Sequence, residues 1–208
     1  MAIVVSGQDS FRRSELMDDV YRFRHKYFVE YMRWHKLRKP DGREIDQFDT
    51  EDAVHIIEHA ADGSVEAYSR LLPTMKPHLL THVYPEILQG APAPQGPTIW
   101  ELTRCAVPVS KSETRAFDPR TRRIMLAVVE TSLRMGVTGL VMEGRLWSLQ
   151  RLMEYGWDIV PLASPVMYDD YEIAPFFAYV DEAMLHSTRE ALGIYEPVLE
   201  PVPSLLVA

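Results

Sequence analysis

One cysteine, Cys105, in a chain of 208 residues rules out an internal disulfide and a cysteine-rich metal site together. Basic residues are also scarce: 22 Lys and Arg stand against 30 Asp and Glu, a formal charge of -8. That balance argues against a nucleic-acid partner, because displacing counterions from phosphate needs a basic face. No uninterrupted apolar stretch approaches the roughly 20 residues that cross a bilayer, and no charged-then-apolar leader opens the chain. The expectation is a cytoplasmic enzyme or binding module without a membrane partner. Internal repeats and low-complexity tracts are missing too. A single domain over residues 1–208 is therefore expected, and the 47% apolar content is enough for its core.

The elements that are present read as strands followed by an alternation of helices and strands. Leu16, Val20, Phe23, Tyr27 and Tyr31 recur at spacings of three and four, which predicts a helix over residues 11–32. "AVHIIEHA" and "SVEAYSRLL" flank Asp62-Gly63, a turn pair for an antiparallel hairpin. After the irregular "GAPAPQGP" comes a strand, "TIWELTRCAV". Asp118 as cap, Pro119 at the first position and Gly136 at the end bound the next helix. Strand "GLVM", helix "LWSLQRLMEYG", strands "WDIVPL" and "IAPFFAYV", a short helix over 181–192 and an irregular tail complete the chain. The class is α/β, in the mixed α+β sense, with helices packed on a mixed sheet.

Two metal patterns fail on inspection. The acidic segment "GREIDQFDTEDA" lacks the alternating D-x-D-x-D-G of a calcium loop. "HIIEH" matches a zinc pattern that needs a helix, but its β-branched residues favour a strand, with His55 and His59 on one face and Glu58 on the other. No metal is expected.

Glu44, Asp46 and Asp49 lie on a connection of about 20 residues, a length that usually has a function in compact domains. A solvated acidic loop is the alternative. Phe28 and Trp34 precede these carboxylates closely and can wall a site for a cation. Arg24, Arg70 and Arg104 add guanidinium forks suited to a carboxylate, although each arginine taken singly reads as a surface ion pair. A zwitterion carrying a further positive charge meets all of these requirements.

The order of these residues resembles the LuxI-type acyl-homoserine lactone synthases: Arg24 and Phe28 in "RFRHKYFVE", Trp34, then Glu44, Asp46 and Asp49 in "REIDQFD", Arg70 in "SRLLPT", and Glu101 with Arg104 in "WELTR". The match runs over residues 20–107, with a weaker "LMEYGW" beyond it. Tyr84 departs from the family's usual phenylalanine by one hydroxyl. The resemblance implies a GNAT-like three-layer sandwich with a mixed, largely antiparallel sheet flanked by helices. It implies S-adenosylmethionine and an acyl thioester as substrates and no cofactor. The α-amine of S-adenosylmethionine attacks the thioester, and its carboxylate then closes the lactone with loss of methylthioadenosine.

An α-ammonium near pKa 8 needs only a modest base, and Glu44 and Glu101 are the candidates. Glu101 is preferred because it lies on a central strand. Glu101 and Arg104 are three apart, so a regular strand would aim them at opposite faces, and a shared site requires a bulge between them.

Between Cys105 and Asp118 there is no glycine, so the Gly-rich pyrophosphate loop of GNAT enzymes is missing. Arg115, Arg120, Arg122 and Arg123 form a basic cluster able to meet coenzyme A phosphates or an acidic carrier protein. The stretch "KPDGREIDQFDTEDAV" is similar to the coenzyme A-using branch. Tyr84, Met142, Leu146, Trp147 and Leu149 are the expected acyl lining, with plain core as the alternative. Two rivals to lactone synthesis remain: an N-acyltransferase that forms no lactone, and a non-catalytic sensor of the same ligands.

Overall fold

The computed structural model describes residues 1–108, 118–168 and 170–201. An eight-stranded sheet organises them. Its strands are β1 (Ala2–Ser6), β2 (Val54–His59), β3 (Val65–Pro73), β4 (Ile99–Ala106), β5 (Gly139–Arg145), β6 (Ile159–Pro161), β7 (Val166–Tyr168) and β8 (Tyr171–Tyr179). They run in the order β1-β2-β3-β4-β5-β8-β6, with β7 also on β8. Every pairing is antiparallel except β4 with β5.

Each strand alternates its side chains between two helical layers, which is how one sheet supports two cores. Ile56, Leu71, Leu102, Leu140 and Met142 face α4 (Pro119–Arg134) and α6 (Glu182–Leu192) in the larger core. Ile57, Tyr68 and Ala106 face α2 (Ser14–Arg24), which follows the single turn α1 (Gly7–Ser10). Further along that second face, Val141 meets Leu80 of α3 (Leu79–His82) and Ile87 of a 3-10 turn (Pro85–Leu88). α5 (Leu146–Glu154) follows β5 directly.

Three departures from the sequence expectations have physical causes. The helix expected over 11–32 is α-helical only to Arg24 and continues over His25–Tyr31 with a wider π turn, closed by the Met32 N–H donating to Tyr27 O at 2.9 Å. Spacings of three and four do not report such a local widening, which tends to occur at functional sites. Asp118 and Pro119 cap α4 as expected. β1 and β7 were not anticipated: β1 is defined by its partner β2, and β7 has only three residues. Part of the tail is ordered as well, since Ala2 N–H donates to Val198 O at 2.8 Å and Glu130 accepts from the Val198 and Leu199 amides.

Candidate active site

Parity breaks once inside the sheet. From β3 to β4 the register passes from Arg70↔Thr103 to Tyr68↔Ala106, so two residues on β3 span three on β4. The extra residue is a β-bulge, and Arg104 takes the left-handed φ of 54° that it requires. Glu101, Thr103 and Arg104 consequently reach the same face, the one covered by α2 and α3. The bulge demanded by the sequence is present.

On that face the acidic connection folds over the arginines. Arg24, fully buried at the end of α2, donates from Nε to Glu44 Oε2 at 2.7 Å and from Nη1 to Asp49 Oδ1 at 2.7 Å. Arg70, equally buried on β3, donates from Nη1 to Asp46 at 2.7 Å and Asp49 at 2.6 Å, and from Nε to Thr103 at 3.1 Å. Arg104 lies 2.7 Å from Asp46 Oδ2 and 3.3 Å from Glu44. Three carboxylates thus face three guanidiniums. Burial by itself would raise the Asp49 pKa, but the Arg70 and Arg24 charges outweigh it and hold the group well below the ordinary carboxylate range. Asp46 is lowered for the same reasons, with Arg70 the main counter to its burial.

This geometry corrects one expectation: the carboxylates do not form an open negative pocket. Charges removed this far from water need partners inside the protein, and the three arginines supply them. Nor are those arginines surface ion pairs. Only Asp46 and Arg104 keep an exposed edge, 10% and 8% of their side chains, against at most 1% for the other four. A ligand therefore meets one carboxylate and one guanidinium side by side.

Aromatic rings frame that edge. Phe28 stacks on the partly exposed Trp34 with centroids 5.1 Å apart, and the Arg104 guanidinium lies 5.5 Å from the Phe28 centroid. Arg33, just before Trp34, adopts φ 60°, which turns the chain back so that Trp34 N–H donates to Phe28 O at 2.9 Å. Beneath Arg24 lie the rings of Tyr21 and Tyr68, and His55 Nδ1 is 2.7 Å from the Tyr68 hydroxyl. Burial pushes His55 down to about 4, so it is neutral at pH 7.

Glu101 stands apart from this cluster. Both of its oxygens accept backbone N–H groups at the start of α3, from Leu79 at 2.8 Å and Leu80 at 2.6 Å. Burial nevertheless pushes its pKa up to about 7, beyond what the two amides and Arg70 and Arg104 offset. Glu44, by contrast, is clamped between Arg24 and Arg104. Just beyond Glu101 the parallel strands part: β4 and β5 pair only from Ile99↔Gly139 to Glu101↔Val141. Glu143, two residues past Val141, faces the opening from the other side. The sequence reading passed over it; its one signal was a lone acid inside an apolar strand.

Of the expected donor residues, Arg120, Arg122 and Arg123 lie in the first turns of α4. Arg115 lies outside the described residues. Arg120 donates to Asp118 and to Pro108 O, Arg123 pairs with Glu58 and Glu66, and Arg122 reaches toward Gly193 at the end of α6. The expected acyl lining divides. Tyr84 packs on the α3 face, edge-on to Tyr168 with centroids 5.0 Å apart. Met142 points to the opposite face and, with Leu149, belongs to the α4 core, while Leu146 and Trp147 are exposed on the first turn of α5. Strand parity separates Met142 from Tyr84, which helical spacing in the sequence could not reveal.

A mixed sheet that bulges and forks beside a buried glutamate is the GNAT-like fold. An acyl-CoA N-acyltransferase from Pseudomonas aeruginosa shares the fold at 18% identity, with a TM-score of 0.56 over 87% of this chain and 99% of that one. The chain belongs to the autoinducer synthase family, whose model matches residues 8–186. It is 32% identical over 171 residues to the isovaleryl-homoserine lactone synthase of Bradyrhizobium diazoefficiens, covering 82% of this chain and 75% of the relative. It is 30% identical over 178 residues to the acyl-homoserine-lactone synthase of Acinetobacter nosocomialis, covering 83% and 96%. The solved CoA-dependent acyl-homoserine lactone synthase BjaI, with SAM and isopentyl-CoA, superposes with a TM-score of 0.86 at 28% identity, covering 99% of this chain and 95% of that one.

Proposed function

We propose that this autoinducer synthase makes an acyl-homoserine lactone, a quorum-sensing signal, from S-adenosylmethionine and an acyl thioester. The observation that carries the reading is the adjacency of the Asp46–Arg104 edge, the Phe28–Trp34 stack and Glu101 on one face of a forked sheet. The ammonium of S-adenosylmethionine would meet Asp46 and its carboxylate Arg104, with the sulfonium beside the aromatic rings. Arg24, Arg70, Glu44 and Asp49 hold that edge in place from behind.

Glu101 is the base in this reading. Its raised pKa lies close to that of an α-ammonium, which favours proton transfer near neutral pH. The freed amine attacks the thioester carbonyl in the β4–β5 opening, the carbon–sulfur bond breaks and a thiol leaves. The carboxylate of the acylated product then attacks its own γ-carbon, the γ-carbon–sulfonium bond breaks, and methylthioadenosine departs with that electron pair.

The donor is a coenzyme A thioester in this proposal, supported by the likeness to a CoA-dependent synthase and by the ion pairs that already engage Arg120 with Asp118 and Arg123 with Glu58 and Glu66. The work is placed in the cytoplasm, where both substrates are made. Among the described residues no helix is long and apolar enough to cross a membrane. One continuous sheet carrying both halves of the site supports reading residues 1–208 as a single domain.

The test is to incubate the purified chain with S-adenosylmethionine and a panel of acyl-CoA and acyl-carrier-protein thioesters, including branched and straight acids, and to identify products by mass spectrometry. A lactone with stoichiometric methylthioadenosine supports the reading. An open-chain amide without methylthioadenosine would point to the simpler N-acyltransferase, and ligand binding with no product to a sensor.

A further inference from the structure

An α-ammonium that becomes an amide nitrogen sheds two protons, and the thiolate it displaces takes one up. Glu101 can hold only one of the two. The site as read so far lacks a group that protonates the sulfur and accepts the second nitrogen proton.

The parting of β4 and β5 places such a group. Glu101 is paired across the strands with Val141, and Glu143 lies two residues further along β5, on the same face. β8, on the other side of β5, sets Pro175 opposite Glu143. The charges that act on it most are Glu101, Arg104 and Arg70, from β4 and β3, and Arg145 lies two residues further along its own strand. Cys105 on the bulge is its other titratable neighbour. Glu143 Oε2 is shielded from solvent and has no hydrogen-bond partner among the described residues. Oxygens in that situation are costly to leave unmet, and in functional sites they are commonly met by substrate.

We propose that Glu143 is a second catalytic carboxyl of the acyl-transfer step, delivering a proton to the departing sulfur. This rests on the acyl-transfer reading above. Burial, followed by the negative charge of Glu101, holds Glu143 well above the ordinary carboxylate range, which favours its protonated form. Two carboxyls with environments that separate their proton affinities provide an acid and a base at one site. The protons balance. Glu101 takes the first from the ammonium, and the carbon–nitrogen bond forms. The carbon–sulfur bond then breaks with its electrons on sulfur, and Glu143 protonates that sulfur. The second nitrogen proton passes to the Glu143 carboxylate and restores it. The products are an amide, a thiol and one proton, released from Glu101 to water.

The experiment compares thiol release in a single turnover, with S-adenosylmethionine present, from the best donor of the panel and from the S-phenyl thioester of the same acid. A thiophenolate, the weaker base, gains far less from an acid as it leaves than an alkyl thiolate does. Glu143→Gln should slow release of the alkyl thiol by about 100-fold, the low end of general-acid contributions. It should slow release of thiophenol by less than about threefold, and that rate also shows the variant to be folded. Equal slowing with both donors, or an unchanged rate with the alkyl donor, overturns the proposal. A wild-type protein that releases no thiol from either donor overturns the acyl-transfer reading, and this proposal with it.

Discussion

Glu101 and Arg104 occupy the same face of β4 although three residues separate them, because Arg104 sits at φ 54° on a bulge that resets the strand's alternation. The consequence is a division of labour within four residues of chain. Arg104 completes the ion-pair cluster, and Glu101 stands beside it with both oxygens on the backbone of α3. Just before that bulge the pairing of β4 with β5 ends, and the proposed reading puts the thioester there.

Asp46 is the one carboxylate of the cluster with an exposed edge, so its removal should be felt first by the cationic substrate. Asp46→Asn is expected to raise the KM for S-adenosylmethionine by about 10- to 100-fold, the range for losing one charged hydrogen bond. The KM for the acyl donor should change by less than about threefold. Initial rates with each substrate varied in turn measure this, and an equal rise in both would remove Asp46 from the S-adenosylmethionine site.

Glu101→Gln keeps the shape of the side chain and one acceptor for the α3 amides, while removing the base. The expected result is a fall in kcat of about 100-fold or more with a circular dichroism spectrum like that of the parent. A variant retaining full turnover would exclude Glu101 as base.

The pH profile follows from the same group. Glu101 must be ionised to accept a proton, so kcat should climb with pH through about 7 and level off above it. Its effect on stability has the opposite sign. Because folding raises its pKa, the folded state favours the protonated form; this stabilisation is complete below the unfolded value of about 4.3 and fades as pH rises through about 7. Glu101→Gln should flatten both trends, as measured by rate–pH curves and thermal melts between pH 5 and 9.

Asp49 gives the reverse case. Its folded pKa is depressed by Arg70 and Arg24 despite burial, so its stabilising effect is complete above the ordinary aspartate value of about 3.9 and is lost as pH falls through the lower folded value. Acid unfolding should therefore be steep below pH 4. Asp49→Asn leaves two buried guanidiniums short of a partner, at a cost of about 3–5 kcal/mol. For a chain of this size that corresponds to a drop in Tm of roughly 6–20 °C by calorimetry. A drop under about 2 °C would mean that the cluster is not structural.

Much of this site is legible from residue order. Arg24, Phe28, Trp34, Asp46, Arg70, Glu101 and Arg104 do converge, and the bulge between the last two follows from strand alternation once both are assigned to one site. Residue types on a defined period say which face each side chain seeks, and a carboxylate-rich loop beside arginines must come to rest on them. The sequence by itself therefore determined the membership of the cluster and the need for a kink in β4.

Tertiary structure decided what the charges do. The sequence suggests that Glu44, Asp46 and Asp49 await a cation, but the fold spends most of their charge on buried arginines and leaves only Asp46 at the edge, because an unpaired ion at that depth costs several kcal/mol. Pairings across strands decided the rest. They turned Met142 into the α4 core, faced Glu143 toward Glu101, and gave Arg120 and Arg123 separate partners. Such contacts join residues tens of positions apart, and local periodicity carries no record of which strands will be neighbours or where they will part.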